Sequence, residues 1–209
     1  MGMNPNLAEE NLQTIRLLME RSALYRRALA PIMLLTGVLG LGAAAAGLWF
    51  HLEASRPFAG LWIGTACVVV TAAFLLARRQ ALKDNEPFWS PPTYRVAQAL
   101  LPPLLSGLAL GVLLALLTDD WTVDFAMVLV WLLFYGCALN AAGFFMERGI
   151  KWFGWGFIAA TLVLMAGIRV TGYAGSPAAA NWLMGFFFGA LHLAYGIYLS
   201  FTEQKKTAA

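Results

Sequence analysis

The sequence predicts an all-α membrane protein, a six-transmembrane-helix bundle preceded by an amphipathic cytoplasmic helix. Two observations carry that reading. Of 209 residues, 60% are hydrophobic and 12% charged, whereas about a quarter of the residues in an ordinary soluble domain are charged. There is too little polar material here to build a polar shell. The apolar residues also fall in long runs rather than in stripes, and a run of roughly 18 or more uncharged residues is read as a membrane span.

Six such runs follow one another, at 28–50, 58–77, within 96–117, 121–146, 152–170 and 182–201. Each has about the 20 residues that cross roughly 30 Å of hydrocarbon at 1.5 Å per residue. The fourth is the longest. The chain therefore divides into an N-terminal segment 1–27, a transmembrane domain 28–201 and a cytoplasmic tail 202–209.

Residues 6–27 place Leu12, Ile15, Leu18, Met19 and Tyr25 at helical spacing, with Glu9, Glu10, Arg16 and Glu20 elsewhere. Asn6 followed by Glu9 resembles a capping box. This segment is expected to form a helix lying on the lipid headgroups or docking a partner, with Pro31 marking the bend into the first span. Charges of both signs and the lack of a short apolar stretch before a small-residue cleavage site argue against a cleaved leader. The first span is expected to stay as a signal anchor.

Orientation follows from the basic residues. Twelve of the fourteen Lys and Arg (Arg16, Arg21, Arg26, Arg27, Arg78, Arg79, Lys83, Arg95, Arg148, Lys151, Lys205 and Lys206) fall on one side of the spans. Arg56 and Arg169 are left on the other, beside Glu53, Asp119, Asp120 and Asp124. The positive-inside rule makes the first side cytoplasmic, and an even number of spans puts both termini there. The pI near 9.0 is thereby explained by topology and implies no nucleic acid partner. The tryptophans agree. Trp49, Trp62, Trp121 and Trp182 fall at the outer ends of spans and Trp89, Trp152 and Trp155 at the inner ends, the aromatic belts of a bilayer protein. Trp131 alone falls well inside a span.

Pro102 and Pro103 would remove two backbone donors from a third span beginning near Val96, so that helix is expected to start around Leu100. A re-entrant or interfacial piece would then precede it. Glycines mark the packing faces: Gly37, Gly40 and Gly47 in the first span, Gly107 and Gly111 as a GxxxG pair in the third, and Gly136/Gly143 and Gly189/Gly196, each pair seven apart, in the fourth and sixth. Small residues let backbones approach where no hydrophobic force acts between helices, which predicts a tight bundle.

The stretch from Ile15 to Ser22 ahead of a Gly-rich span, with Phe134-Tyr135-Gly136 and His192-Leu193-Ala194-Tyr195-Gly196 later, resembles uncharacterised bacterial six-span membrane proteins. The resemblance implies a bacterial inner-membrane location and transfers no activity.

Polar residues inside spans are costly and are the first candidates for function. Tyr135, Asn140, His192 and Tyr195 form one cluster if the fourth and sixth spans are neighbours. Such a cluster is a proton-sensitive or ligand-binding site in one reading and an interhelical hydrogen-bond lock in the other, and the lock is favoured. Arg169 can snorkel to the headgroups, within reach of Asp124. Cys67 and Cys137 sit in apolar runs with no metal-ligand or CxxC spacing, so neither a disulfide nor a metal site is expected. His51 and His192 differ in depth by roughly 10–15 Å, too far for two axial ligands of one haem. No HExxH, GxSxG, phosphate-loop or dinucleotide fingerprint is present, and no cofactor is expected. The sequence thus points to a non-enzymatic protein in the lipid bilayer that binds another membrane protein or a second copy, as an assembly, scaffold or regulatory subunit. A small-solute transporter or channel lined by Asn140, His192 and the Pro102-Pro103 break is the alternative.

Overall fold

The computed structural model of the protein describes residues 28–85, 87–117, 121–146, 148–172, 176 and 178–207. The amphipathic helix expected over 6–27 lies outside the described residues. What is described is helical, without strands, and six helices are long and apolar enough to cross a membrane. The protein is a polytopic membrane protein.

The first five spans are single helices: α1 Ala28–Trp49, α2 Ser55–Lys83, α3 Pro91–Leu117, α4 Trp121–Ala142 and α5 Arg148–Thr171. The sixth is composite. It begins as α6 Ala179–Met184, loosens into a π-helical stretch Gly185–Ala190, and resumes as α7 Leu191–Thr207. The last piece carries helix into the expected tail.

Three boundaries differ from expectation. The longest span is α2, with 29 residues, and not the fourth, which stops at Ala142 where Gly143 begins a turn. Nothing in Arg78-Arg79-Gln80-Ala81-Leu82-Lys83 breaks a helix, so α2 runs past its apolar stretch until Asn85, whose φ of 52° ends it. The third span is one continuous helix with Pro102 and Pro103 inside it, so the expected start near Leu100 is wrong. A helix from there would cover only about 26 Å of a roughly 30 Å core. Starting at Pro91 places Pro91 and Pro92 in the first turn, where a missing N–H costs nothing. The interior prolines sit in a membrane helix, where proline is tolerated.

α4 is the hub. It packs along α3 on one flank and α5 on the other. Glycines set both seams. A Cβ on Gly136 would stand 2.8 Å from the Ile158 side chain and one on Gly154 would stand 2.7 Å from the Asn140 backbone nitrogen, so α4 and α5 run backbone against backbone. On the other flank Gly107 and Gly111 of α3 make a trough filled by Phe134 and the Trp131 indole. The sixth span pairs instead with α1. Gly37 lies against Leu193, Gly40 against Phe188 and Gly189, Ala44 against Gly185, and Gly47 against Asn181, the falling numbers of an antiparallel pair. Two apolar cores fill the gaps: one around Phe58, Met127, Leu132 and Phe157, the other around Met33, Leu139, Ile150 and Leu199.

Candidate functional site

The polar centre is built by the irregularity in the sixth span. In the π stretch the Leu191 N–H bonds Phe186 O, five residues back. When the helix returns to four-residue spacing at the next residue, the carbonyl in between is skipped. That carbonyl belongs to Phe187. His192 supplies the missing donor, its Nδ1 lying 2.8 Å from Phe187 O. A carbonyl can only accept, so Nδ1 carries the hydrogen, and in the neutral ring Nε2 is then an acceptor. The Tyr135 hydroxyl of α4 meets that acceptor at 2.6 Å. His192 is fully buried, so one side chain both closes its own helix and ties it to α4.

Aromatic rings enclose this pair. Phe188 stacks on the His192 ring with centroids 5.8 Å apart, while Phe153 and Phe157 of α5 meet it edge-on at 5.1 and 5.7 Å. Phe157 and Phe188 also flank Tyr135, at 5.1 and 5.0 Å. Water is kept from both hydrogen bonds, which strengthens them and makes their loss costly.

The other two sequence candidates sit apart from the pair. Tyr195, one turn along α7, stacks on Phe153 at 4.7 Å and reaches Gly149 with its hydroxyl, so it joins the cluster through a shared ring. Asn140 lies with its backbone nitrogen at the tight α4–α5 seam, and its Nδ2 is buried with no hydrogen-bond partner among the described residues. The four residues are therefore one bonded pair, one stacked neighbour and one separate amide.

A second polar node was not legible in the sequence. Asn181 is fully buried in α6. Its Oδ1 accepts from the Trp62 indole N–H at 3.1 Å, and its Nδ2 donates to Leu52 O at 3.1 Å. One amide thus joins the sixth span to α2 and to the α1–α2 turn, and Gly47 of α1 leaves room for it. The belt reading of Trp62 is corrected accordingly: it is 4% exposed, whereas Trp49, Trp152 and Trp182 are 81, 74 and 66% exposed, as belt residues should be. A polar residue at a span end is ordinary in a sequence, so Asn181 carried no signal beyond Gly47 at matching depth. Trp131 owes its depth to a similar bond, its Nε1–H donating to Gly107 O at 3.1 Å, with Phe58 stacked on its ring.

At the end of the bundle holding the α1–α2 turn, Asp124 is buried in the first turn of α4 and Arg169 is exposed in the last turn of α5. Asp119 and Asp120 lie outside the described residues. Cys67 is exposed on α2 and Cys137 half-buried on α4, both as free thiols. No group of three His, Cys, Asp or Glu side chains converges among the described residues.

An apolar cavity of about 480 Å³ lies between α1, α2, α3, α4 and the sixth span, with Ile150 of α5 at its edge. Tyr135 reaches its wall, whereas His192 and Asn140 do not. The arrangement as a whole offers hydrogen bonds already made and a greasy void.

No protein-family model, no curated protein and no solved structure matches this chain.

Proposed function

We propose that this is a non-enzymatic multi-pass protein of the bacterial inner membrane, with both termini in the cytoplasm, that works by binding another membrane protein or a second copy of itself. The observation that carries the reading is the engagement of the two interior groups most capable of chemistry. The Tyr135 hydroxyl and both ring nitrogens of His192 are occupied by one another and by Phe187 O. Groups whose hydrogen bonds are made to one another and to the backbone have none left over to hold a solute. Function then belongs to the outward faces. The bacterial location rests on the sequence resemblance, and the orientation rests on the Lys/Arg asymmetry and the exposed tryptophans at span ends.

Transport of a polar solute is the weaker reading. The apolar cavity would be its route, and that wall carries no charged side chain. A solute crossing there would lose its hydration and regain little.

The test is purification in a mild detergent, followed by native mass measurement and crosslinking in membranes before solubilisation. The expected particle is a multiple of the chain or a complex with a second protein. A strict monomer by both measurements overturns the proposal.

A further inference from the structure

The cavity has a chemistry that its size alone does not convey. Five polar side-chain groups border it, and each donates inside the protein: Thr36 to Ile32 O, Thr65 to Leu61 O, Trp62 to Asn181 Oδ1, Trp131 to Gly107 O and Tyr135 to His192. The rest of the lining is aliphatic, aromatic or glycine. No side-chain donor is left for an occupant, so only hydrocarbon gains from entering. The volume, about 480 Å³, falls in the range of roughly 300–1,000 Å³ typical of ligand pockets. The shape is elongated: along α2 the lining runs from Trp62 to Ala77, about 22 Å at a rise of 1.5 Å per residue. That is most of the roughly 30 Å of a hydrocarbon core, measured along the helix as a lipid tail lies.

One end of this void is charged. The lining finishes at Ala77 on α2 and Val96 on α3. Arg78 and Arg79 come directly after the first and Arg95 directly before the second, all three exposed. No acidic residue lines the cavity. Three arginines within two residues of the lining's last positions, at the depth of the slot's end along α2 and α3, suit a molecule with a long apolar tail and a negative head. Basic clusters at the cytoplasmic ends of transmembrane helices attract anionic lipid headgroups.

We propose that the cavity holds an acyl chain of an anionic phospholipid, whose phosphate sits at Arg78, Arg79 and Arg95. The site is independent of whether the protein binds a partner.

The probe is a phospholipid brominated on its acyl chain, in the phosphatidylglycerol and phosphatidylcholine forms, added to the full chain in detergent. Bromine quenches nearby indoles, so the six other tryptophans are changed to Phe, leaving Trp62 and Trp131, which border the slot. The anionic lipid is expected to quench at lower concentration than the zwitterionic one. Changing Arg78, Arg79 and Arg95 to Gln should remove that preference, each step weakening the anionic lipid by about fivefold. The pair Ala73→Phe and Leu104→Phe fills the slot from α2 and α3 and should abolish quenching by both. Equal quenching by the two lipids, or a preference that survives the arginine changes, overturns the headgroup assignment. Quenching unaltered in a folded, slot-filled protein overturns the acyl-chain assignment. If the filled protein does not fold, the arginine series, which alters only exposed side chains, still decides. Displacement by a brominated free fatty acid at equal concentration overturns the phospholipid in favour of a detached chain.

Discussion

His192 makes two bonds that no other residue in the sixth span can make, and they can be separated by mutation. His192→Leu leaves Phe187 O without a donor and the Tyr135 hydroxyl without an acceptor, both behind a wall of phenylalanine. Hydrogen bonds between membrane helices are worth on average about 0.6 kcal/mol and up to about 1.7, and a stranded buried group costs roughly 1–3. The expected loss is therefore about 1–3 kcal/mol in detergent melting. His192→Gln keeps a donor and an acceptor and should stay within about 1 kcal/mol of the parent. Tyr135→Phe supplies the decisive control. In the parent it should cost about 1 kcal/mol. In the His192→Leu background it should cost nothing or restore some stability, because the hydroxyl it removes has already lost its acceptor. Additive losses in that cycle would mean the 2.6 Å contact contributes nothing. The polarity of Tyr135 and His192 inside apolar runs was visible in the sequence, but the Phe187 carbonyl was not, because a π-helical register shift has no composition of its own.

At the scale of elements, the glycine seams fix which helices touch. The sequence shows which face of a helix is small, since residues three, four and seven apart lie over one another. It does not show what that face meets. Gly136/Gly143 and Gly189/Gly196 have the same spacing, yet the first pair packs on α5 and the second on α1. The partner is set by how all six helices share the available contacts, a property of no single segment. Pro102 and Pro103 show the same limit. Locally they argue for a helix start, and the need to span the bilayer overrides them. Two glycines on α1 form a matched experiment. A Cβ on Gly40 would lie 2.5 Å from Phe188 O, while one on Gly42 meets nothing within 4 Å. Gly40→Ala should force α1 off the sixth span at a cost of about 1–3 kcal/mol. Gly42→Ala should be neutral or stabilising by up to about 1 kcal/mol, the helix-propensity gain of alanine. Comparable melting of the two variants would show that the α1–sixth-span seam is not a tight contact.

For the whole molecule, length and hydropathy made the span count legible because crossing a bilayer is one physical demand repeated six times. Lateral arrangement was not legible, because no force encoded in a single apolar run chooses among neighbours as greasy as the lipid. Orientation stands between these, written in the sequence but not in the fold, since helices and contacts are the same whichever way the bundle is inserted. The basic residues are the ground of the proposed orientation. The α1–α2, α3–α4 and α5–sixth-span connections share one end of the bundle, and in the proposed orientation that end faces outside. Cysteines placed singly at positions 54, 119 and 176, in a background where Cys67 and Cys137 are changed to Ala, should react with a membrane-impermeant maleimide added to whole cells. A cysteine at position 84, in the α2–α3 connection, should react only after the membrane is opened. Arg56→Glu, which deepens the asymmetry, should leave the pattern unchanged, whereas extra lysines at 119 and 120 should weaken it by offering the wrong side a positive signal. Labelling of position 84 from outside, with 54, 119 and 176 protected, would invert the protein and place Arg78, Arg79 and Arg95 in the outer leaflet.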